Sequence, residues 1–343
     1  MRTALVIAPQ WIGDAVMTQP LLGLLAQRGE RIDVAALPWV APVYRAMPEV
    51  AQVIDLPFAH GRLDWTARRE LGRAWRGRYT TAYVLPNSIK SALLPWFAGI
   101  PRRVGYHGEG RWLLLNRRLP SPPGRPPMVP FYAQLAEERD VDLSQLRPRL
   151  QIDAARIDDA IRAAGLLGRG RYRVFAPGAE YGPSKCWPAE HYLALARRLH
   201  AVDGLPVALL GSGKEAALID RMAADSGGAC IPLAGRTSLD AAMAIIAGAH
   251  AVVSNDSGLM HVAAAFDRPQ VAVFGSTSPH HTPPLNPAAR VLWLKDELKL
   301  DCAPCFERTC RLGHYRCLTE VTPARVESAL GEVEAAAAAW IPA

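Results

Sequence analysis

Nowhere in this sequence do the roughly 20 consecutive apolar residues needed to span a bilayer occur. The opening residues, MRTALVIAPQ, hold one Arg and a very short apolar run before Pro9. That pattern predicts a first strand rather than an export signal, and hence a soluble, cytoplasmic protein. Two phosphate-binding fingerprints are also missing. The turn Gly211-Ser212-Gly213-Lys214-Glu215 lacks the G-x-x-x-x-G-K-[ST] spacing of a Walker A loop. Neither half of the chain opens with G-x-G-x-x-G, which argues against a nicotinamide-type dinucleotide site. No acidic cluster reads as a divalent-metal site of the kind that holds a nucleotide diphosphate.

What is present is a long alternation of short apolar runs and amphipathic stretches, the pattern of α/β layers with parallel strands. With 343 residues and half of them hydrophobic, the chain has material for about two cores. Strands are predicted at residues 4–8, 31–37, 52–56, 81–85 and 102–106, and again at 172–176, 206–210, 251–253, 270–274 and 291–294. Helices are expected between them, at 15–27, 40–47, 64–76, 89–98, 131–139 and 154–166 in the first half. In the second half they are expected from Pro188 to about His200, at 238–249, at 259–266 and as an alanine-rich closing helix at 322–340. Residues 120–130 hold six prolines and are expected to be a surface loop. A junction is expected near Gly168-Arg169-Gly170.

Charge is uneven. Residues 60–125 carry thirteen Lys or Arg against three acidic residues, a surplus of ten, while the whole chain carries only +7. The remainder is therefore net acidic. Such a patch attracts phosphorylated partners or an anionic membrane surface. Four of the six cysteines crowd together as Cys302, Cys305, Cys310 and Cys317, with His314 between the last two. Either a metal or a compact loop of reduced thiols fits this C-x2-C-x4-C-x6-C spacing, which has only one of the two short knuckles of a zinc ribbon.

The loops after strands carry the chemistry. Residues 251–277 read as strand, polar break, helix, strand, with Ser254-Asn255-Asp256-Ser257-Gly258 at the break. Exposed N–H groups at that helix start suit phosphate; an ordinary N-cap is the alternative. Asp14 follows the first strand at the edge where open α/β sheets hold ligands, and a simple N-cap is again the alternative. Lys185, just before a helix start, can offer a point charge to phosphate or be a solvated surface lysine.

Taken together, several stretches resemble the ADP-heptose:lipopolysaccharide heptosyltransferases. They are Trp11-Ile12-Gly13-Asp14-Ala15-Val16, Ser184-Lys185-Cys186-Trp187-Pro188, Asn255-Asp256-Ser257-Gly258 with His261, and Phe274-Gly275-Ser276-Thr277 with Pro279. Pro86-Asn87-Ser88 with Lys90-Ser91-Ala92, then Pro95-Trp96, Ala98-Gly99-Ile100-Pro101-Arg102-Arg103, and the late cysteine loop with Gly313-His314 resemble its heptosyltransferase II branch.

The resemblance implies a GT-B glycosyltransferase architecture, two Rossmann-like domains facing across a cleft. It assigns residues 1–168 to an acceptor domain, 169–322 to an ADP-sugar domain, and 323–343 to a helix packing back toward the first. The implied reaction is inverting transfer of heptose from ADP-heptose to the first heptose of the Kdo–lipid A inner core in lipopolysaccharide biosynthesis. Asp14 would be the catalytic base. Ser184, Lys185, Ser212, Glu215, Thr237, Asp256, Ser257, Gly258 and His261 would meet the donor, His261 either touching phosphate or anchoring its helix. Lys90, Arg102, Arg103 and Arg111 would meet the acceptor. No metal or other cofactor is expected. The enzyme is expected to be a monomer, peripheral at the inner face of the inner membrane of a Gram-negative bacterium, with no nucleic-acid partner. Two alternatives remain: the heptosyltransferase I branch, which acts on bare Kdo–lipid A, and, in a different class, a basic zinc- or nucleic-acid-binding module.

Overall fold

The structure, a computed structural model, describes residues 2–58, 62–138 and 140–338. His60, Arg139 and the end of the closing helix expected at 322–340 lie outside the described residues. The chain divides into two compact units, Met1–Gln151 and Ile152–Ala343.

The first unit is one six-stranded parallel sheet with helices between its strands. Its strands are β1 (Arg2–Ile7), β2 (Glu30–Ala36), β3 (Val50–Asp55), β4 (Thr81–Val84), β5 (Arg102–Tyr106) and β6 (Arg117–Leu119). Its helices are α1 (Ile12–Met17), α2 (Gln19–Gln27), α3 (Ala41–Arg45), α4 (Trp65–Ala74), α5 (Ile89–Phe97) and α6 (Met128–Ala133). The strand order is β3-β2-β1-β4-β5-β6. The pairings are parallel, as where β1 pairs with β2 and with β4. Burial on both faces explains the unbroken apolar runs of β1 and β4. Leu5, Ile7, Val84, Leu94 and Leu115 join one core with Trp75 and Tyr79.

The second unit repeats the plan. It contains α7 (Ala154–Ala163), β7 (Arg173–Ala176), α8 (Ala189–Asp203), β8 (Val207–Leu209), α9 (Ala216–Asp225) and β9 (Cys230–Pro232). Then follow α10 (Leu239–Ala247), β10 (Val252–Asn255), α11 (Gly258–Ala265), β11 (Gln270–Val273), β12 (Ala289–Leu292), α12 (Arg316–Thr319) and α13 (Pro323–Ala338). The order is β12-β11-β10-β7-β8-β9, again parallel. Counted from its own first strand, this is the order of the first unit. In both sheets the order reverses between the first and fourth strands, so a crevice opens at the carboxyl ends of β1 and β4, and of β7 and β10.

Some expectations shift. The division falls at Gln151/Ile152, ahead of the junction expected near Gly168, because α7 packs against α10. Gly170 is also tied inside the second unit, its N–H donating to the Gly248 carbonyl. The terminal helix α13 packs on α8, β11 and β12 of its own unit. α6 begins inside the proline-rich stretch expected to be loop, with Pro130 in its first turn, where a missing N–H costs nothing. The edge strands β6 and β9, three residues each, were not anticipated. Short edge strands bearing charge or proline carry little apolar signal.

Candidate functional site

In the first unit, the crevice is marked by Asp14, in the first turn of α1 just beyond β1. Its Oδ1 accepts a hydrogen bond of 3.1 Å from the Tyr132 hydroxyl on α6. Tyr132 is buried, and burial followed by the Asp14 charge pushes its ionisation well above the ordinary phenol range. It is therefore a neutral donor that fixes one carboxylate oxygen. One turn on, the Thr18 hydroxyl donates to the Ala15 carbonyl at 2.7 Å and meets the buried Tyr44 hydroxyl at 3.2 Å. This braces the α1–α2 junction that carries Asp14. Trp39 donates its indole N–H to the Gln10 carbonyl at 3.0 Å, shaping the approach beside the exposed Trp11. Tyr132 lies 118 positions from Asp14 and was missed, because nothing local in the sequence links the two.

The four basic residues expected to face an acceptor separate into two kinds. Arg111 is 2 % exposed, its guanidinium donating to the Pro86 and Tyr106 carbonyls and to Asn87 Oδ1. Burial lowers its pKa, and its charge serves the fold. Arg103 donates to the carbonyls of Leu114 and Ile100, bracing the turn beside β5. These two guanidinium groups are thus committed to backbone carbonyls, which sequence charge alone could not reveal. Arg102 is paired with Glu137 at the surface. The Lys90 ammonium has no ion pair among the described residues.

In the second unit, the crevice residues are drawn together. Asn255, at the end of β10, donates to the Pro177 carbonyl at 2.7 Å and accepts from the Trp187 N–H at 2.9 Å and the Tyr192 hydroxyl at 3.1 Å. One buried amide thus locks β10, the loop after β7 and the approach to α8. Next to it, the buried Asp256 carboxylate accepts from Lys185 Nζ and from Thr277 Oγ1, each at 2.6 Å. Lys185 also lies 5.1 Å from the centre of the Tyr181 ring. Ser257 then takes the N-cap position of α11 in extended conformation without a side-chain capping bond, its Oγ buried and without a partner among the described residues. The first N–H groups of a helix have no intrahelical acceptor. The arrangement is suited to an anion: helix N-terminus, unpartnered hydroxyl and a lysine held in place by Asp256.

His261, one turn into α11, is buried, and burial above all pushes its pKa down to about 4. It stands as a neutral imidazole inside the helix packing, which fits the anchoring alternative. Ser184 is buried too, meeting Ser276 Oγ at 3.0 Å and donating to the Glu307 carbonyl. Its role in the structure is to stitch three loops together. Gly182 is required in that seam: its φ is +141°, and a Cβ there would meet the Arg308 carbonyl oxygen at 2.6 Å.

In the same unit lies a cavity of about 500 Å³ lined by Gly178, Cys186, Trp187, Glu215, Leu218 and Tyr315 among others. Its walls are mostly apolar. Glu215 Oε2 accepts from the N–H and hydroxyl of Ser212, so Ser212 is committed to orienting that carboxylate. A Cβ on Gly178 would meet Glu215 Oε1 at 2.6 Å, so only glycine admits the carboxylate there. Thr237 makes a long bond of 3.4 Å to the Leu233 carbonyl and does not line the cavity.

The cysteine loop forms no disulfide; Cys302, Cys305, Cys310 and Cys317 are half-buried free thiols. Burial first, then the neighbouring Cys310, Cys302 and Cys305, push the Cys317 thiol up to about 11. Among the described residues, no group of three or more His, Cys, Asp or Glu is arranged to hold a metal ion.

Comparison with known proteins gives this geometry its context. The model of glycosyltransferase family 9 (heptosyltransferase) matches residues 68–316. The lipopolysaccharide heptosyltransferase 2 of Escherichia coli K12 is 42 % identical over 341 residues, covering 94 % of this chain and 95 % of that protein. The lipooligosaccharide heptosyltransferase 2 of Haemophilus influenzae is 38 % identical, covering 96 % and 98 % respectively. The solved structure of E. coli ADP-heptose lipopolysaccharide heptosyltransferase II superposes with a TM-score of 0.85 at 38 % identity, over 98 % of this chain and 100 % of that one. Two Rossmann-type units, each with a parallel sheet, are thus the GT-B-like fold of those enzymes, and the chain belongs to glycosyltransferase family 9, the heptosyltransferases.

Proposed function

We propose that this chain is an inverting glycosyltransferase that moves heptose from ADP-heptose to the first heptose of the Kdo–lipid A inner core. Relatives named heptosyltransferase 2 reach 42 % and 38 % identity over nearly their whole length, against 28 % for a heptosyltransferase 1, which favours the second transfer. The observation that carries the donor half is the unpartnered Ser257 hydroxyl at the α11 N-terminus beside the Lys185–Asp256 pair. Backbone N–H groups at Ser257 and Gly258, with Lys185, take up charge as ADP departs. Preorganised donors of this kind contribute about 10²–10³ each to rate. The apolar cavity takes the nucleoside, and Glu215 accepts from the ribose hydroxyls.

Asp14 removes the proton from the acceptor hydroxyl. A base held within about 3 Å contributes roughly 10²–10⁴. Tyr132 occupies one carboxylate oxygen and aims the group. Lys90 and Arg102 are the basic groups left for the acceptor's phosphates and carboxylates. Lys185 and the helix terminus supply the positive charge a divalent ion would bring, so turnover persists in EDTA. The enzyme works as a monomer at the inner face of the inner membrane, where its lipid-borne acceptor resides.

The test is transfer from ADP-heptose to Kdo–lipid A with and without its first heptose. Product on the heptosylated acceptor alone is expected. Product on the bare acceptor moves the activity to heptosyltransferase I, and no product on either removes the proposed sugar transfer.

A further inference from the structure

One face of the first unit is unexplained by either half of the reaction. α4 and α5 are locked together: a Cβ on Gly72 of α4 would meet Phe97 Cβ of α5 at 2.6 Å. The buried Arg68 donates from α4 to the Lys90 carbonyl on α5 at 3.2 Å. On this rigid pair the aromatic residues point outward. Trp65 is 49 % exposed and Trp96 43 % exposed, each edge-on to Phe97 with ring centres 5.1 Å and 5.0 Å away. Ile89, two turns before Trp96 on the same side of α5, is 46 % exposed.

The charge beside this cluster is mostly positive, with Glu70 the one acidic residue of α4 and Glu109 accepting from the Ile89 N–H at 2.9 Å. Helical spacing places Arg69 and Arg73 on the Trp65 side of α4, and Arg76 follows in the turn after the helix. All three are exposed and have no ion pair among the described residues. Some surface arginines elsewhere meet carboxylates, as Arg45 meets Asp55 at 2.7 Å and Arg236 meets Asp220 at 2.7 Å, while others, such as Arg147, Arg221 and Arg311, have no ion pair among the described residues either; here three of the unpaired kind adjoin an aromatic cluster. A row of solvated arginines next to three clustered aromatic rings has the two ingredients of interfacial membrane binding. Indole rings settle at headgroup depth, and arginines reach lipid phosphates while their stems cover apolar surface.

We propose that the outer face of α4 and α5, centred on Trp65, Trp96 and Phe97 and flanked by Arg69, Arg73 and Arg76, docks on a bilayer of anionic phospholipid. The inference extends the proposed function, since that acceptor is lipid-borne. It commits to the bilayer because the face is an exposed helix pair with unpaired positive charge, complementary to an anionic sheet of phosphates.

The experiment is sedimentation of the full chain with vesicles of phosphatidylethanolamine containing about a quarter phosphatidylglycerol, set against phosphatidylcholine vesicles. Two double variants are compared with the parent, Trp65→Ala/Trp96→Ala and Arg69→Glu/Arg73→Glu. Thermal unfolding and turnover on a deacylated, water-soluble heptosylated acceptor are the controls. The parent is expected to bind the anionic vesicles and to lose them at high salt. Each double variant is expected to bind about tenfold or more weakly with both controls unchanged. Variants that bind as the parent does overturn the proposal. So does binding that appears only when the acceptor glycolipid is in the vesicles, or a dimer that the tryptophan variant dissolves. Vesicle binding without transfer to either acceptor would instead remove the proposed function and leave this face standing.

Discussion

The two units share one strand order and one crevice position, yet the crevices are furnished for opposite charges. In the first, the loop after β1 presents a carboxylate steadied by a neutral phenol. In the second, the loop after β10 presents a helix N-terminus, an unpartnered hydroxyl and a lysine. The same topology therefore dictates where a ligand is met but says nothing about which ligand. That is decided by a few side chains beyond the strand ends. A base belongs where a proton must leave, and donors belong where negative charge develops.

The sharpest way to break this contrast is Asp14→Asn, which keeps the shape and removes the proposed base. Turnover is expected to fall about 10²–10⁴-fold while ADP affinity, measured by calorimetry, stays unchanged. A parallel loss of ADP affinity would show that the carboxylate serves the donor. Lys185→Met attacks the other crevice. We expect turnover to fall about 10²–10³-fold together with weaker ADP binding, and a variant with normal ADP binding would detach Lys185 from the diphosphate.

His261 separates packing from chemistry in the second unit. Its pKa lies near 4 in the folded chain against an ordinary 6.5, so the unfolded state takes up a proton first as pH falls. Stability tied to this group is intact above about pH 6.5, declines between pH 6.5 and 4, and levels off below, a loss of roughly 3 kcal/mol at most. His261→Gln should flatten that part of a denaturation-against-pH curve. An unchanged slope would assign the pH dependence elsewhere.

The smallest effect is expected from Tyr132→Phe. Losing one hydrogen bond to the carboxylate should cost about tenfold in turnover or less, and shift the acid limb of the pH–rate profile upward. A profile identical to the parent's would reduce Tyr132 to a packing role.

Much of this was legible in the order of residues. Val6 and Ile7 of β1, like Ala82 and Val84 of β4, belong to apolar runs that announce buried parallel strands. Ser257-Gly258 after Ser254-Asn255-Asp256 announces a capped helix at a strand end. Asp14 beyond β1 and Lys185 before α8 stand in loops that can meet a ligand, but position alone left each open to a plain structural reading, and the family resemblance singled them out. The surroundings of the arginines expected to face an acceptor were not legible. Arg102, Arg103 and Arg111 look alike as letters, but one meets a surface carboxylate and two are turned onto carbonyls.

The sequence by itself determined the two α/β halves, the loops that carry the chemistry and the family likeness, because strand and helix periodicity and short motifs are local properties. Only the tertiary structure decided that Tyr132 reaches Asp14, that Arg111 is buried, and that α7 belongs with α10. It also decided that Trp65, Trp96 and Phe97 meet on one exposed face. Those are contacts between residues far apart in the chain, and burial and charge pairing exist only once such residues are brought together.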